Sequence, residues 1–221
     1  MNRILLLLIP IVAFAATPTF RAGQTGGGTG NPAKEWADSL TAESDKKYDV
    51  ALVAVTAYQK EGGDTFLATE RTGWLRYLNG DYVQAESAYI AASRLQSSAI
   101  NPLLGMLNIA QAQKDAKKTE SAAQAVLHIE PSNYRALMAL AGTHLYGRDY
   151  PKAASEYRRV LTFYPDDTDA MSGLAWSTYY GGNKRDSVDI FKKILSVSPS
   201  YPYAQRGYDL ATGTAPARPI N

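Results

Sequence analysis

The segment YRALMALAGTHLYGRDYPKAASEYRRVLTFYPDD, residues 134–167, contains two helical patterns separated by Gly147-Arg148-Asp149-Tyr150. Small residues lie where the two helices would touch, and Pro165 ends the second pattern because proline cannot continue a helix. The same pattern recurs on both sides of the segment with a period of about 34 residues. A fixed period of this length is typical of a solenoid, in which each helix–turn–helix unit stacks on the next.

The repeat register needs no insertions. Its units begin at Pro32, Phe66, Ile100, Tyr134 and Thr168. The first unit is the least regular and would form the amino-terminal cap, since terminal repeats are expected to be atypical. In the third unit Asn101-Pro102 predicts a helix start, with Asn as the N-cap and Pro in the first helical position. Residues 201–212 predict one more helix, whose polar side chains suit a solvated capping helix.

The amino terminus, residues 1–16, has the three parts of a secretory signal peptide. Arg3 supplies a positive start, residues 4–12 form an apolar run, and Ala13-Phe14-Ala15 is a small-x-small cleavage site. A membrane span needs about 20 apolar residues, and this run is shorter and contains Pro10. We therefore expect export to the bacterial periplasm or the outside, with no stable membrane anchor after cleavage.

The chain has no cysteine, which excludes disulfides, thiolate metal sites and a lipid-modified amino-terminal cysteine. Residues 17–31 are rich in glycine and predict a flexible leader, because such a segment buries too little surface to offset the ordering of its backbone. A phosphate-binding loop is the alternative, but the GK[ST] ending is missing. The solenoid is then residues 32–212, and residues 213–221 predict a disordered tail.

The repeated positions resemble those of the tetratricopeptide repeat family. The small or Leu-like position of the first helix is occupied by Gly73, Leu107, Ala141 and Ala175. The small position that opens the second helix is occupied by Ala85, Thr119, Ala153 and Ser187. The large position one helical turn later is occupied by Tyr89, Ala123, Tyr157 and Phe191. The closing position is occupied by Ser97, Pro131, Pro165 and Pro199.

This resemblance implies an all-α, right-handed α-solenoid of about five helix–turn–helix repeats, each of about 34 residues, with a carboxy-terminal capping helix. In that family the first helices line a concave face where ligands usually lie. Carrying the face over to this chain gives the ligand-binding candidates Trp36, Trp74, Tyr77, Asn108, Gln111, Arg135, Met138, Tyr146, Trp176, Tyr179 and Tyr180. Leu67, Glu70, Asn101 and Asp169 lie on or near the same face.

Aromatic side chains dominate these candidates, and Trp and Tyr often anchor a bound partner. We expect a non-catalytic interaction scaffold of the cell envelope that binds a peptide segment of another envelope or secreted protein. A glycan- or polysaccharide-binding or export accessory protein is the alternative, because sugar faces also stack on aromatic rings. Repeat four has the less aromatic set Arg135, Met138 and Tyr146, so the repeats with Trp74 and Trp176 would contribute more to binding.

Other function classes have little support. The net charge of +2 without a concentrated basic face argues against nucleic acid. The only histidines, His128 and His144, lie in different predicted helices without HExxH spacing, so we predict no catalytic residue, no metal ligand and no cofactor.

Two charged groups have structural interpretations. Asp166, Asp167 and Asp169 precede or open a helix, where carboxylates cap the backbone amides. Lys114 to Lys118 is read as a solvated loop, although weak binding to an anionic polymer is the alternative.

Overall fold

The computed structural model describes residues 31–214, and these form eleven helices and no strand. The helices are α1 (Pro32–Ser44), α2 (Tyr48–Lys60), α3 (Thr65–Leu78), α4 (Tyr82–Leu95), α5 (Ile100–Ala112), α6 (Ala116–Ile129), α7 (Tyr134–Tyr146), α8 (Tyr150–Phe163), α9 (Thr168–Tyr180), α10 (Lys184–Val197) and α11 (Ala204–Thr212). Each contacts the next along the chain. The predicted all-α repeat solenoid is confirmed. The predicted signal peptide, all of the leader before Asn31 and the tail beyond Thr214 lie outside the described residues.

Most helices begin at a side chain that accepts a hydrogen bond from the first turn. These caps are Asn31, Asp64, Asp115, Asn133, Asp149, Asp167 and Asn183. The predicted cap at Asn101-Pro102 is wrong. Helix α5 begins at Ile100 after Ala99, so Asn101 and Pro102 lie inside its first turn. Proline is tolerated there because first-turn amides have no partner within the helix.

The turn between the two helices of each repeat has one residue in the left-handed region. That position recurs once per repeat and is occupied by Lys46, Gly80, Lys114, Arg148 and Gly182. The next residue then donates its amide back to the first helix, as Asp149 N does to His144 O at 2.9 Å. This geometry closes the first helix and satisfies its last carbonyl groups.

The stack is held together by a large side chain lying over a small one. A Cβ atom added at Gly105 would lie 2.3 Å from the Tyr89 ring, and one added at Gly173 would lie 2.2 Å from the Tyr157 ring. Each ring comes from the second helix of one repeat, and each glycine from the first helix of the next. Phe191 and Gly207 repeat the arrangement at the carboxy terminus, again at 2.2 Å.

The capping helix α11 begins at Ala204, later than the predicted start at Tyr201. It covers the end of the core, where Ala204 packs with Phe191 and Ile194. Gly213, in the left-handed region, follows it. In the described part of the chain, no helix has the length and apolar character needed to cross a membrane.

First helices of neighbouring repeats contact one another directly, as α3 does with α5, α7 with α9 and α9 with α11. Within residues 31–214 the second helices of neighbouring repeats make much less contact. The first helices therefore lie on the inside of the curve. We call this concave face of α3, α5, α7, α9 and α11 the groove.

Candidate functional site

Trp36 does not line the groove. Its side chain is only 9% exposed, and its ring lies 5.0 Å from the buried ring of Tyr58. The guanidinium of Arg71 lies over the Trp36 ring, 5.2 Å from its centroid. Trp36 is therefore a core residue of the first repeats, and its predicted groove position is corrected.

Trp74 is half-buried and already has partners within the protein. Its Nε1 donates to Glu43 Oε1 at 2.7 Å, and its ring stacks on Tyr77 at 5.7 Å. Glu43 also forms an ion pair with Arg71 at 2.8 Å. Because Glu43 lies in α1 and Trp74 in α3, these contacts join the first two repeats and limit the freedom of the indole to bind a ligand.

Arg135 and Asn108 meet at the centre of the groove. Arg135 Nη2, in the first turn of α7, donates to Asn108 Oδ1 of α5. Burial lowers the pKa of Arg135, and the neighbouring hydroxyls of Tyr77 and Tyr89 oppose that shift. Gln111, one turn further along α5, is exposed. The predicted polar groups Asn108, Gln111 and Arg135 therefore lie on two neighbouring helices of the groove, and two of them are in direct contact.

Glu70 extends this polar region towards the amino terminus. Burial raises the pKa of its carboxyl, and a hydrogen bond with Asn101 partly opposes the shift. The pKa of Tyr89 is raised by burial and then by the charge of Glu70. Residues of α3, α5 and α7 thus share one partly desolvated polar surface around the Tyr89 hydroxyl.

Asp169 is the polar centre of the carboxy-terminal half. Its Oδ1 accepts a hydrogen bond from the Tyr201 hydroxyl at 2.5 Å. Burial raises the pKa of Tyr157, with smaller contributions from Tyr146, Tyr201 and Asp169. Asp167 alone of the three neighbouring acids caps α9, accepting from Ala170 N at 2.6 Å. The capping interpretation is right for Asp167, while Asp169 contacts a tyrosine of the capping segment.

A patch of stacked aromatic rings lies in the carboxy-terminal half of α9, away from Asp169 in its first turn. Trp176 is half-buried, stacked on Tyr180 at 5.5 Å and held edge-on by buried Phe191 at 5.3 Å. Tyr179 packs edge-on against Tyr180, and Lys184 Nζ lies 5.9 Å from the Tyr179 ring centroid. On the groove side the exposed rings are tyrosines, with Tyr146 58% exposed, Tyr180 51% and Tyr203 37%.

Met138 is half-buried and packs against the core of the middle repeats. Tyr89 and Tyr157 occupy the large position of the second helix, which the repeat pattern predicts to pack against the neighbouring helix. Their rings are buried, but the electrostatic neighbours of their hydroxyls are groove residues. The signal that predicts this is the glycine in the first helix after each tyrosine, Gly105 or Gly173, which lets the ring cross between two repeats.

A separate cleft lies away from the groove, between α4, α5 and α6. Leu103, Met106 and Ile109 line it, and an ion pair from Lys118 Nζ to Glu86 at 3.0 Å crosses its edge. The third repeat has Ala123 where the second and fourth have a tyrosine, and its small side chains, such as Ser121 and Ala122, leave this space. In the described residues no group of three or more His, Cys, Asp or Glu side chains could hold a metal ion.

Comparison with known proteins supports the repeat assignment. Residues 103–168 match the family model described as tetratricopeptide repeat. No curated protein matches the chain. The prediction of tetratricopeptide repeats is confirmed.

Several solved structures are similar to this one. A tetratricopeptide repeat protein from Parabacteroides merdae has a TM-score of 0.70 at 17% identity, covering 82% of this chain and 73% of that one. MamA from Desulfovibrio magneticus has a TM-score of 0.65 at 15% identity, covering 78% and 98%. YrrB, a tetratricopeptide repeat protein with an unusual peptide-binding site, has a TM-score of 0.63 at 13% identity, covering 80% and 91%. At these identities the likeness concerns the fold.

Proposed function

We propose that this tetratricopeptide-repeat solenoid is a non-catalytic binding module whose groove takes a peptide segment of a partner protein. The observation that carries the proposal is the combination, on one concave face, of exposed tyrosines with partly desolvated hydrogen-bonding groups. Exposed rings such as Tyr146 and Tyr180 supply apolar contact area at low entropic cost. Partly buried polar groups such as Arg135 orient the ligand. Burial has removed part of their hydration, so a hydrogen bond from the ligand stabilises them.

Two further points support a protein ligand. The similar structure YrrB, a tetratricopeptide repeat protein, has a peptide-binding site. In this chain the Trp74 ring is stacked on Tyr77, and one face of Trp176 is stacked on Tyr180. A sugar ring needs an open aromatic face, so these intramolecular stacks favour peptide over glycan.

A photo-crosslinking experiment tests the proposal. A photoreactive phenylalanine analogue replaces Tyr180 in the groove, or Phe163, which is 45% exposed on the second helix α8 and serves as the matched control. Irradiation of producing cells should give a discrete protein adduct from position 180 and none from position 163. Glycan adducts at position 180, or equal adducts from both positions, would contradict a peptide-binding groove.

The signal-like pattern in residues 1–16 supports export, so the partner in this proposal belongs to the cell envelope or the exterior. Fusing residues 1–31 to a reporter enzyme that is active only outside the cytoplasm should give activity. Replacing Leu6 with Arg should abolish that activity, because a charge interrupts the apolar run. Activity that survives Leu6→Arg would contradict the assignment.

A further inference from the structure

Gly142 differs from the other glycines inside the first helices. Cβ atoms at Gly73, Gly105, Gly173 and Gly207 would lie 2.2–2.8 Å from an aromatic ring, so packing requires those glycines. A Cβ at Gly142 would meet only Tyr146 Cε2, at 4.0 Å, which is an ordinary contact. A glycine inside a helix destabilises it relative to alanine. No packing contact of Gly142 offsets that cost.

The equivalent positions of the other repeats carry groove side chains. Gly142 lies one repeat after Asn108 and one repeat before Trp176, and Trp74 holds the same position in the second repeat. The fourth repeat therefore has a depression where its neighbours present an amide or an indole. Exposed Tyr146 borders the depression one helical turn away.

Opposite charges lie on the helix of this depression and on the next first helix, with Arg135 in α7 and Asp169 in α9. Arg135 and Asp169 occupy the same position in consecutive repeats, each in the first turn of its helix. In the part of the chain that the structure describes, neither forms a salt bridge. A cation in the first turn of a helix is disfavoured by the helix dipole. Arg135 thus lies where local helix stability opposes it.

We propose that the groove at the fourth repeat binds an extended peptide that presents an acidic side chain to Arg135 and a basic side chain to Asp169, with its backbone lying over Gly142. The inference deepens the proposed function and rests on it. It also makes the fourth repeat the centre of binding, whereas the sequence favoured the repeats that carry Trp74 and Trp176.

The surrounding groups fit each part of such a peptide. Arginine holds a carboxylate through two parallel hydrogen bonds, and Asn108 fixes one side of the Arg135 guanidinium. The Tyr157 hydroxyl has both Tyr146 and Asp169 as electrostatic neighbours, and Tyr146 and Tyr203 are neighbours of each other. The exposed rings of Tyr146 and Tyr203 provide π faces that attract a desolvated cation. The absence of a side chain at Gly142 lets a peptide backbone approach the helix closely.

Panning of a phage-displayed random dodecapeptide library tests the inference. Wild-type protein should enrich peptides that contain an acidic and a basic residue in a constant order. Gly142→Trp should weaken their binding at least about tenfold by filling the depression, and its thermal stability should stay close to that of wild type. Gly142→Ala is the matched control and should bind within about threefold of wild type.

The charge swap gives a result that a structural role cannot mimic. In the double variant Arg135→Glu, Asp169→Arg, the enriched peptides should carry the two charges in the reverse order. Enriched peptides without a charge pair, or equal binding to Gly142→Trp, would overturn the inference while leaving a peptide-binding groove. No enriched peptide at all, with protein adducts still formed at position 180, would overturn it and leave the broader function. If neither enriched peptides nor protein adducts at position 180 are found, both this inference and the proposed function are overturned.

Discussion

Lys46, Lys114 and Arg148 hold the left-handed position of their turns, with φ angles of 59°, 56° and 62°. Glycine holds it in the other two repeats, at Gly80 and Gly182. A residue with a Cβ pays about 1–2 kcal/mol to adopt this conformation, whereas glycine adopts it freely but loses more entropy on folding. Three of the five turns therefore carry a removable strain at one residue.

Arg148→Gly should stabilise the protein by about 0.5–1 kcal/mol, since relief of strain exceeds the added entropy cost. Arg148 is exposed, so little packing is lost. Chemical denaturation would measure the change. The reverse control, Gly182→Ala at a φ of 94°, should destabilise. An unchanged or lower stability for Arg148→Gly would show that the side chain contributes more than its backbone costs.

The side chains that pack across each repeat boundary are matched in size. Each large second-helix residue has its small partner at a fixed place in the following first helix, as Tyr89 has Gly105 and Tyr157 has Gly173. At the boundary between the third and fourth repeats both partners are small, with buried Ala123 in α6 and buried Ala139 in α7. At the first boundary the large member lies on the other helix, because Arg71 occupies the glycine position and Val55 the tyrosine position.

Gly173→Ala should destabilise the protein by about 1–3 kcal/mol through overpacking against the Tyr157 ring. The double variant Tyr157→Ala, Gly173→Ala copies the Ala123 and Ala139 pair. Its loss of stability should be smaller than the sum of the two single losses, because the added methyl group no longer meets a ring. Denaturant titration of the three variants measures the coupling. Additive losses of stability would mean that the Tyr157 ring and Gly173 are not energetically coupled.

The repeat period predicts the helices and the buried small positions, and Ala153 and Ser187 are both fully buried. Period and resemblance also select the face that carries Arg135 and Asn108. They could not place Trp36, because its burial depends on Arg71 and Tyr58, which belong to other helices. Asn101-Pro102 has the composition of a helix start, yet α5 begins at Ile100 and the Asn101 side chain bonds to Glu70 of α3. Contacts between units decide both cases.

The molecule as a whole is a stack whose stability depends on neighbouring repeats, so its ends matter more than their size suggests. At the amino terminus, Arg71 Nε donates to Ser39 Oγ at 2.5 Å and joins the first repeat to the second. At the carboxy terminus, α11 covers Phe191 and Ile194, both fully buried. The last short helix therefore protects the core of the fifth repeat.

A chain ending at Ser198 should lose at least about 3 kcal/mol of stability, since two buried side chains become exposed. Hydrogen exchange should quicken first in α10. The point variant Gly207→Leu should act in the same direction, because its Cβ would lie 2.2 Å from the Phe191 ring. Arg206→Leu, at the exposed neighbouring residue, is the matched control. Equal melting of the two point variants would mean that α11 is not seated on Phe191.

The pairing of Tyr157 with Gly173 also bears on how such a chain can grow by gene duplication. Its two members lie on either side of a unit boundary, in α8 and α9. A duplicated segment cut at that boundary would place a tyrosine before whichever first helix follows, and only a glycine there accommodates the ring. A segment cut inside the turn at Arg148 keeps the tyrosine and its glycine together. The exchangeable module of this protein is therefore a second helix together with the first helix that follows it. This module is offset by half a repeat from the helix–turn–helix unit that the sequence pattern shows.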